Sequence, residues 1–93
     1  MSKNNALEFK AWVLKWVQGV IISFCNDRIQ LNRVKGALQK AKKYGIKNSE
    51  LLSIIESIEN SPIYLPLMSY KEKRTRLTEV REIMDKVWGD TND

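Results

Sequence analysis

Apolar residues in the first third of the chain recur at helical spacing. On a wheel of about 100° per residue, Phe9, Trp12, Val13, Leu14, Trp16, Val17, Val20, Ile21 and Phe24 share one side. Glu8, Ala11, Lys15, Gln18, Gly19 and Ile22 fill the other. The apolar side spans about 220°, wider than one packing face needs. Either this helix is central and touched on two sides, or part of the stripe faces a partner or a second copy of the chain. Tryptophans at helical spacing fill cores more often than binding sites, so a central helix is the plainer expectation.

Capping patterns set the boundaries. Asn5 with Glu8 three positions later opens the first helix, which should run to Phe24 or Cys25, and Asp27 with Gln30 opens a second that ends at Gly45. In this second helix Leu31, Val34, Leu38 and Ala41 form a narrow apolar seam, opposite basic and polar residues. Asn48 or Ser49 then caps a third helix carrying Leu51, Leu52, Ile54, Ile55 and Ile58. Ser69 with Glu72 is the clearest capping box, opening a last helix with Leu77, Val80, Met84, Val87 and Trp88 that stops at Gly89. The expected helices are therefore about 6–25, 28–44, 49–60 and 70–88, with a tail at 89–93. Between the third and fourth, residues 61–69 hold both prolines, Pro62 and Pro66, which bar a helix, while their apolar neighbours still want cover. A linker packed as an extended strap is expected there. No segment alternates as a strand, so the chain reads as all-α, a compact single-domain bundle of about four helices with a proline-containing linker.

Ninety-three residues make one domain, and a chain of that size buries only about 60 to 65% of its unfolded surface, so the core is thin. Sixteen Lys and Arg against eleven Asp and Glu give a net charge of +5, which favours anionic partners. The excess is local: residues 28–47 hold seven basic residues and no acid. The single cysteine, Cys25, excludes an internal disulfide and suits a reducing compartment, and its apolar setting makes it a small buried hydrophobe rather than a reactive thiol. Lys3 and Lys10 before the run 11–25 imitate a signal peptide. Lys15 and Gln18 interrupt that run, and no small-residue cleavage site follows, so export and a membrane span are not expected. A cytoplasmic protein is the expectation.

Catalysis finds little support. There is no histidine, no glycine-rich phosphate loop and no four-cysteine set, and the carboxylate pairs Glu56 with Glu59 and Glu79 with Glu82 sit at spacings typical of solvated helix surface. No catalytic residue, metal site or cofactor is expected.

Two binding readings remain. In the first, the chain is a protein-binding adaptor or inhibitor of the kind small mobile elements encode. It would use Trp12 and Trp16 on the wide face of the first helix, or Ile63, Tyr64, Leu65, Leu67 and Met68 of the strap, with a homodimer as a variant. In the second, it is a basic nucleic-acid-binding regulator using Arg28, Arg33, Lys35, Lys71, Lys73, Arg74 and Arg76. Lys71, Lys73 and Arg74 crowd the start of a helix, where positive charge is unfavourable, which hints at a partner. If successive helices run antiparallel, the second and fourth are parallel and Arg28 and Arg33 join that cluster. A helix-turn-helix at 37–56 is conceivable through Ala41, Gly45, Ile46, Leu51 and Ile54, with Lys47, Asn48, Ser49, Ser53 and Glu56 in reading positions. Its supposed recognition helix carries Glu50, Glu56 and Glu59 and no base, which repels phosphate. The protein-binding reading is therefore preferred.

Overall fold

A computed structural model describes residues 3–61 and 70–89, with side chains described over 7–61 and 71–89. Four helices occupy nearly all of it: α1 (Lys3–Cys25), α2 (Leu31–Lys43), α3 (Asn48–Asn60) and α4 (Tyr70–Trp88). The all-helical bundle anticipated from periodicity is what forms. The linker residues 62–69, and with them Ile63, Tyr64, Leu65, Leu67 and Met68, lie outside the described residues.

Helix ends depart from the expected caps for identifiable reasons. α1 begins at Lys3, so Asn5 lies inside it. Its far end closes when the Arg28 N–H donates to the Ser23 carbonyl (2.9 Å) and the Asp27 N–H to the Phe24 carbonyl (3.0 Å). Asp27 sits at φ 63°, the left-handed position that this closure requires and that a short polar side chain tolerates. Asp27 therefore stops α1 instead of starting α2. The second helix begins later than expected, at Leu31, behind a Gln30 whose side chain makes no capping hydrogen bond. Gly45 at φ 90° closes α2 in the same way, with the Ile46 N–H donating to the Ala41 carbonyl at 3.0 Å. Lys47, not Asn48 or Ser49, is the N-cap of α3. A lysine side chain has no acceptor to offer, so only the reciprocal half of a capping box is available: the Lys47 N–H donates to Glu50 Oε1 at 3.0 Å.

Packing places α1 and α4 close to each other and to both remaining helices, whereas the Cα atoms of α2 and α3 stay more than 8 Å apart among the described residues. Antiparallel α1 and α2 leave Cys25 and Leu31 at one end of the bundle. Parallel α2 and α4 follow from the ties at each end: Arg76 reaches Asp27 at one, and Lys42 and Ile46 meet Val87 and Trp88 at the other. The core runs through Val13, Val17 and Ile21 of α1, Val34, Leu38 and Ala41 of α2, Leu51, Ile55 and Ile58 of α3, and Leu77, Val80 and Met84 of α4. Leu31, expected in the α2 seam, stands exposed at the first helical position instead. Trp88 is buried with its indole Nε1–H donating to the Ile46 carbonyl (3.2 Å), which fixes the end of α4 against the α2–α3 turn. Among the described residues no helix is long and apolar enough to cross a membrane.

Candidate functional site

The wide stripe of α1 divides along its length and around its girth. Val13, Val17, Ile21, Phe24 and Cys25 face the core and are buried. Leu7, Phe9 and Trp12 do not find cover: Leu7 is 65% and Trp12 62% exposed. The helix is central and yet presents aromatic rings outward. Phe9 stacks on Trp12 (centroids 6.3 Å, planes 24° apart), and Trp12 lies nearly parallel to Trp16 (6.5 Å, 7°). The edge of Tyr44, from the residue that ends α2, meets Phe9 at 5.3 Å. These positions follow from spacing: 9, 12 and 16 are three and four apart, hence neighbours on one face.

Beyond Trp16 the same face opens into a groove of about 690 Å³ between α1 and α2. Trp16, Gly19, Val20 and Ser23 form one wall, Asn32, Arg33, Gly36, Ala37 and Lys40 the other, with Ile29 at the end and Lys15 on the rim. Among the described residues a Cβ at Gly19 or Gly36 would meet nothing within 4 Å, so none of them demands glycine at either position. Among the described residues, Lys15, Arg33 and Lys40 have no acidic partner, and no acid lines the groove.

The basic residues of α4 have a different fate. Lys73 is buried at 8% exposure. The Arg76 guanidinium lies 5.0 Å from the Phe24 ring centroid, donates to the Phe24 carbonyl (3.4 Å) and pairs with Asp27 (3.1 Å). Arg74 approaches Glu59 at 4.0 Å, and Arg81 pairs with the same carboxylate at 2.9 Å. Lys71 is exposed. Arg28, Arg33 and Lys35 are exposed as well, and the parallel run of α2 and α4 brings Arg28 toward the Arg76 end of the bundle. Of the seven candidate phosphate ligands, Lys73 and Arg76 are thus turned into the fold. A helix-turn-helix unit brings its two helices close together, whereas the Cα atoms of α2 and α3 stay more than 8 Å apart among the described residues.

Among the described residues, two titratable groups depart from their ordinary values. Burial pushes the Cys25 thiol up to about 11, against a smaller opposing pull from Arg76 and Lys73, so the residue stays a neutral thiol. Partial burial raises Glu50, but its pair with Lys10 (2.9 Å) and the Lys47 N–H outweigh this and hold the carboxyl below its ordinary range. No group of three potential metal ligands converges among the described residues.

Sequence reasoning found Trp12 and Trp16 but missed Phe9 and Tyr44 as their companions, and missed the groove. A signal was present. Gly36 sits in mid-helix, where glycine costs about 1 kcal/mol relative to alanine, without a turn to justify it. No family model matches the chain, and no curated protein or solved structure shows significant similarity to it.

Proposed function

We propose that this chain is a small protein-binding module, an adaptor or inhibitor without catalytic activity, which engages its partner through the outer face of α1. One observation carries the reading: Trp12, on a long helix that packs against all three others, stands 62% exposed within a ring-on-ring cluster. Exposed aromatics gathered in one place are the residues that anchor protein interfaces, and they cost folding free energy to display in water. The nucleic-acid alternative is weaker, because Lys73 and Arg76 are used by the fold itself. A reducing compartment accords with the free buried thiol of Cys25.

The test is site-specific photocrosslinking in cell extract, with a benzoylphenylalanine at position 12 and a control probe at Lys86 on the last turn of α4. Discrete protein adducts at position 12, absent at 86 and unaffected by nuclease, are expected. The reading fails if position 12 gives no adduct of its own. It also fails if the adducts contain nucleic acid and fade as salt rises from about 50 to 200 mM, the behaviour of phosphate contacts.

A further inference from the structure

We infer that the groove between α1 and α2 seats an acidic amphipathic helix of the partner protein, an inference that rests on the protein-binding reading above and names the chemistry of its occupant. Shape comes first. From Phe9 to Ser23 the outer face of α1 runs about 21 Å at 1.5 Å per residue, four helical turns flanked for most of that length by α2. The apolar part of its lining is Trp16, Val20, Ile29 and Ala37, and Trp16 joins it to the aromatic cluster. Where Gly19 and Gly36 line the groove, a third backbone can come closer than larger side chains would permit, which suits helix axes 8 to 10 Å apart. Each glycine lowers the stability of its helix relative to alanine, and among the described residues nothing approaches either one.

Charge then selects the occupant. Lys15 on one rim and Arg33 and Lys40 on the other lack acidic partners among the described residues, and no acid lines the groove between them. An apolar lining between basic rims complements a helix with an apolar ridge at i, i+4 and i+7 flanked by Asp and Glu. An extended peptide finds no counterpart here, since the backbone groups of α1 and α2 are satisfied within their own helices and no strand edge exists among the described residues. Single-stranded nucleic acid is disfavoured because the rings it would stack on are turned toward one another: Trp12 toward Phe9 and Trp16, Phe9 also toward Tyr44.

The experiment uses the full chain as bait for a displayed library of random 16-residue peptides. Enriched peptides are expected to be acidic, to carry apolar residues at helical spacing and to gain helicity by circular dichroism on binding. Gly36→Leu, which fills the groove from a surface position, should weaken them at least about tenfold while its melting temperature equals or exceeds that of the wild type. The Lys15→Glu, Lys40→Glu double variant should weaken them similarly and shift selection toward basic peptides. The inference is overturned if nothing is enriched, if the enriched peptides are basic or extended, or if they bind Gly36→Leu as tightly as wild type. A concentration-dependent dimer abolished by Gly36→Leu, or a single-stranded oligonucleotide competing for the groove, overturns it too by naming another occupant. Peptides lost in Trp12→Ala but indifferent to Gly36→Leu and to charge reversal would sink the groove and leave the aromatic face standing. Absence of position-12 crosslinks sinks the reading beneath both.

Discussion

The two faces of α1 are made of the same kinds of residue and meet opposite fates. Val13, Val17, Ile21 and Phe24 disappear into the core, while Leu7, Phe9 and Trp12 remain in water although their hydrophobicity is as great. The difference is one of available neighbours. The inner face of α1 is met by the other three helices, whereas on the outer face Phe9 and Trp12 meet one another, Trp16 and the ring of Tyr44. An apolar stripe wider than one packing face is therefore a surplus, and the helix's place in the fold decides which part of it is left over. Removing atoms from each face measures that division. Ile21→Ala, at a fully buried site, should destabilise the fold by about 2 to 5 kcal/mol in denaturant titration, through lost transfer free energy and the cavity left behind. A loss below about 1 kcal/mol would mean the inner face is not the core.

Next in size is the clasp over the end of that inner face. Arg76→Ala removes the guanidinium from the Phe24 ring and from Asp27, and should cost about 1 to 2 kcal/mol. Arg33→Ala, an equal truncation of charge on α2 with no acidic partner among the described residues, should stay within about 0.5 kcal/mol. Equal losses in the two variants would erase the distinction between basic residues that serve the fold and those that do not. Gly36→Ala has the opposite sign. It should stabilise by about 1 kcal/mol, read as a higher melting temperature, since its Cβ enters open space. Trp12→Ala, the counterpart of Ile21→Ala on the outer face, deletes a far larger side chain. It should nonetheless cost under about 1 kcal/mol, the worth of its ring contacts, because most of its surface is already in water.

Much of this was legible in the residues. Periodicity gave helix number and type, and Leu51, Ile55 and Ile58 of α3 and Leu77, Val80, Met84 and Trp88 of α4 are buried as their spacing implies, whereas Leu52, Ile54 and Val87 are only partly buried and Ile83 and Lys73 are buried without having been expected. Boundaries were less legible where one residue can serve two ends. Asp27 suits an N-cap by composition, but only the three-dimensional closure onto Ser23 and Phe24 shows it ending α1. The basic cluster of α4 shows a second limit. Unfavourable placement at a helix start marks Lys71, Lys73 and Arg74 as unusual, yet the burial of Lys73 and the capture of nearby Arg76 by Phe24 and Asp27 depend on tertiary contacts, those of Arg76 reaching residues about fifty positions away. The groove was illegible for the same reason, since its walls come from two helices and its openness is a property of what fails to cover them.

Lys10 supplies the finest probe, because it sits at the uncovered end of α1 beside Phe9 yet belongs to the fold through its 2.9 Å pair with Glu50. The Glu50 carboxyl is held below its ordinary range in the folded chain, so the fold binds the ionised form more favourably than the unfolded chain does. The resulting stability is present above the unfolded carboxylate pKa, about 4.3, and is lost as pH falls through the lower folded value. Glu50→Gln removes the ion pair but keeps the shape, and the pair is surface-placed, so the difference from wild type should be a few tenths of a kcal/mol at neutral pH. That gap should narrow as pH falls through 4 and below, and should also shrink in high salt. A gap that stays constant from pH 7 to pH 3 would mean that Glu50 acts through packing and not through charge. Lys10 would then join Lys15, Arg33 and Lys40 as a cation whose charge the fold does not use, and the proposed basic rim would extend around the aromatic end of the groove.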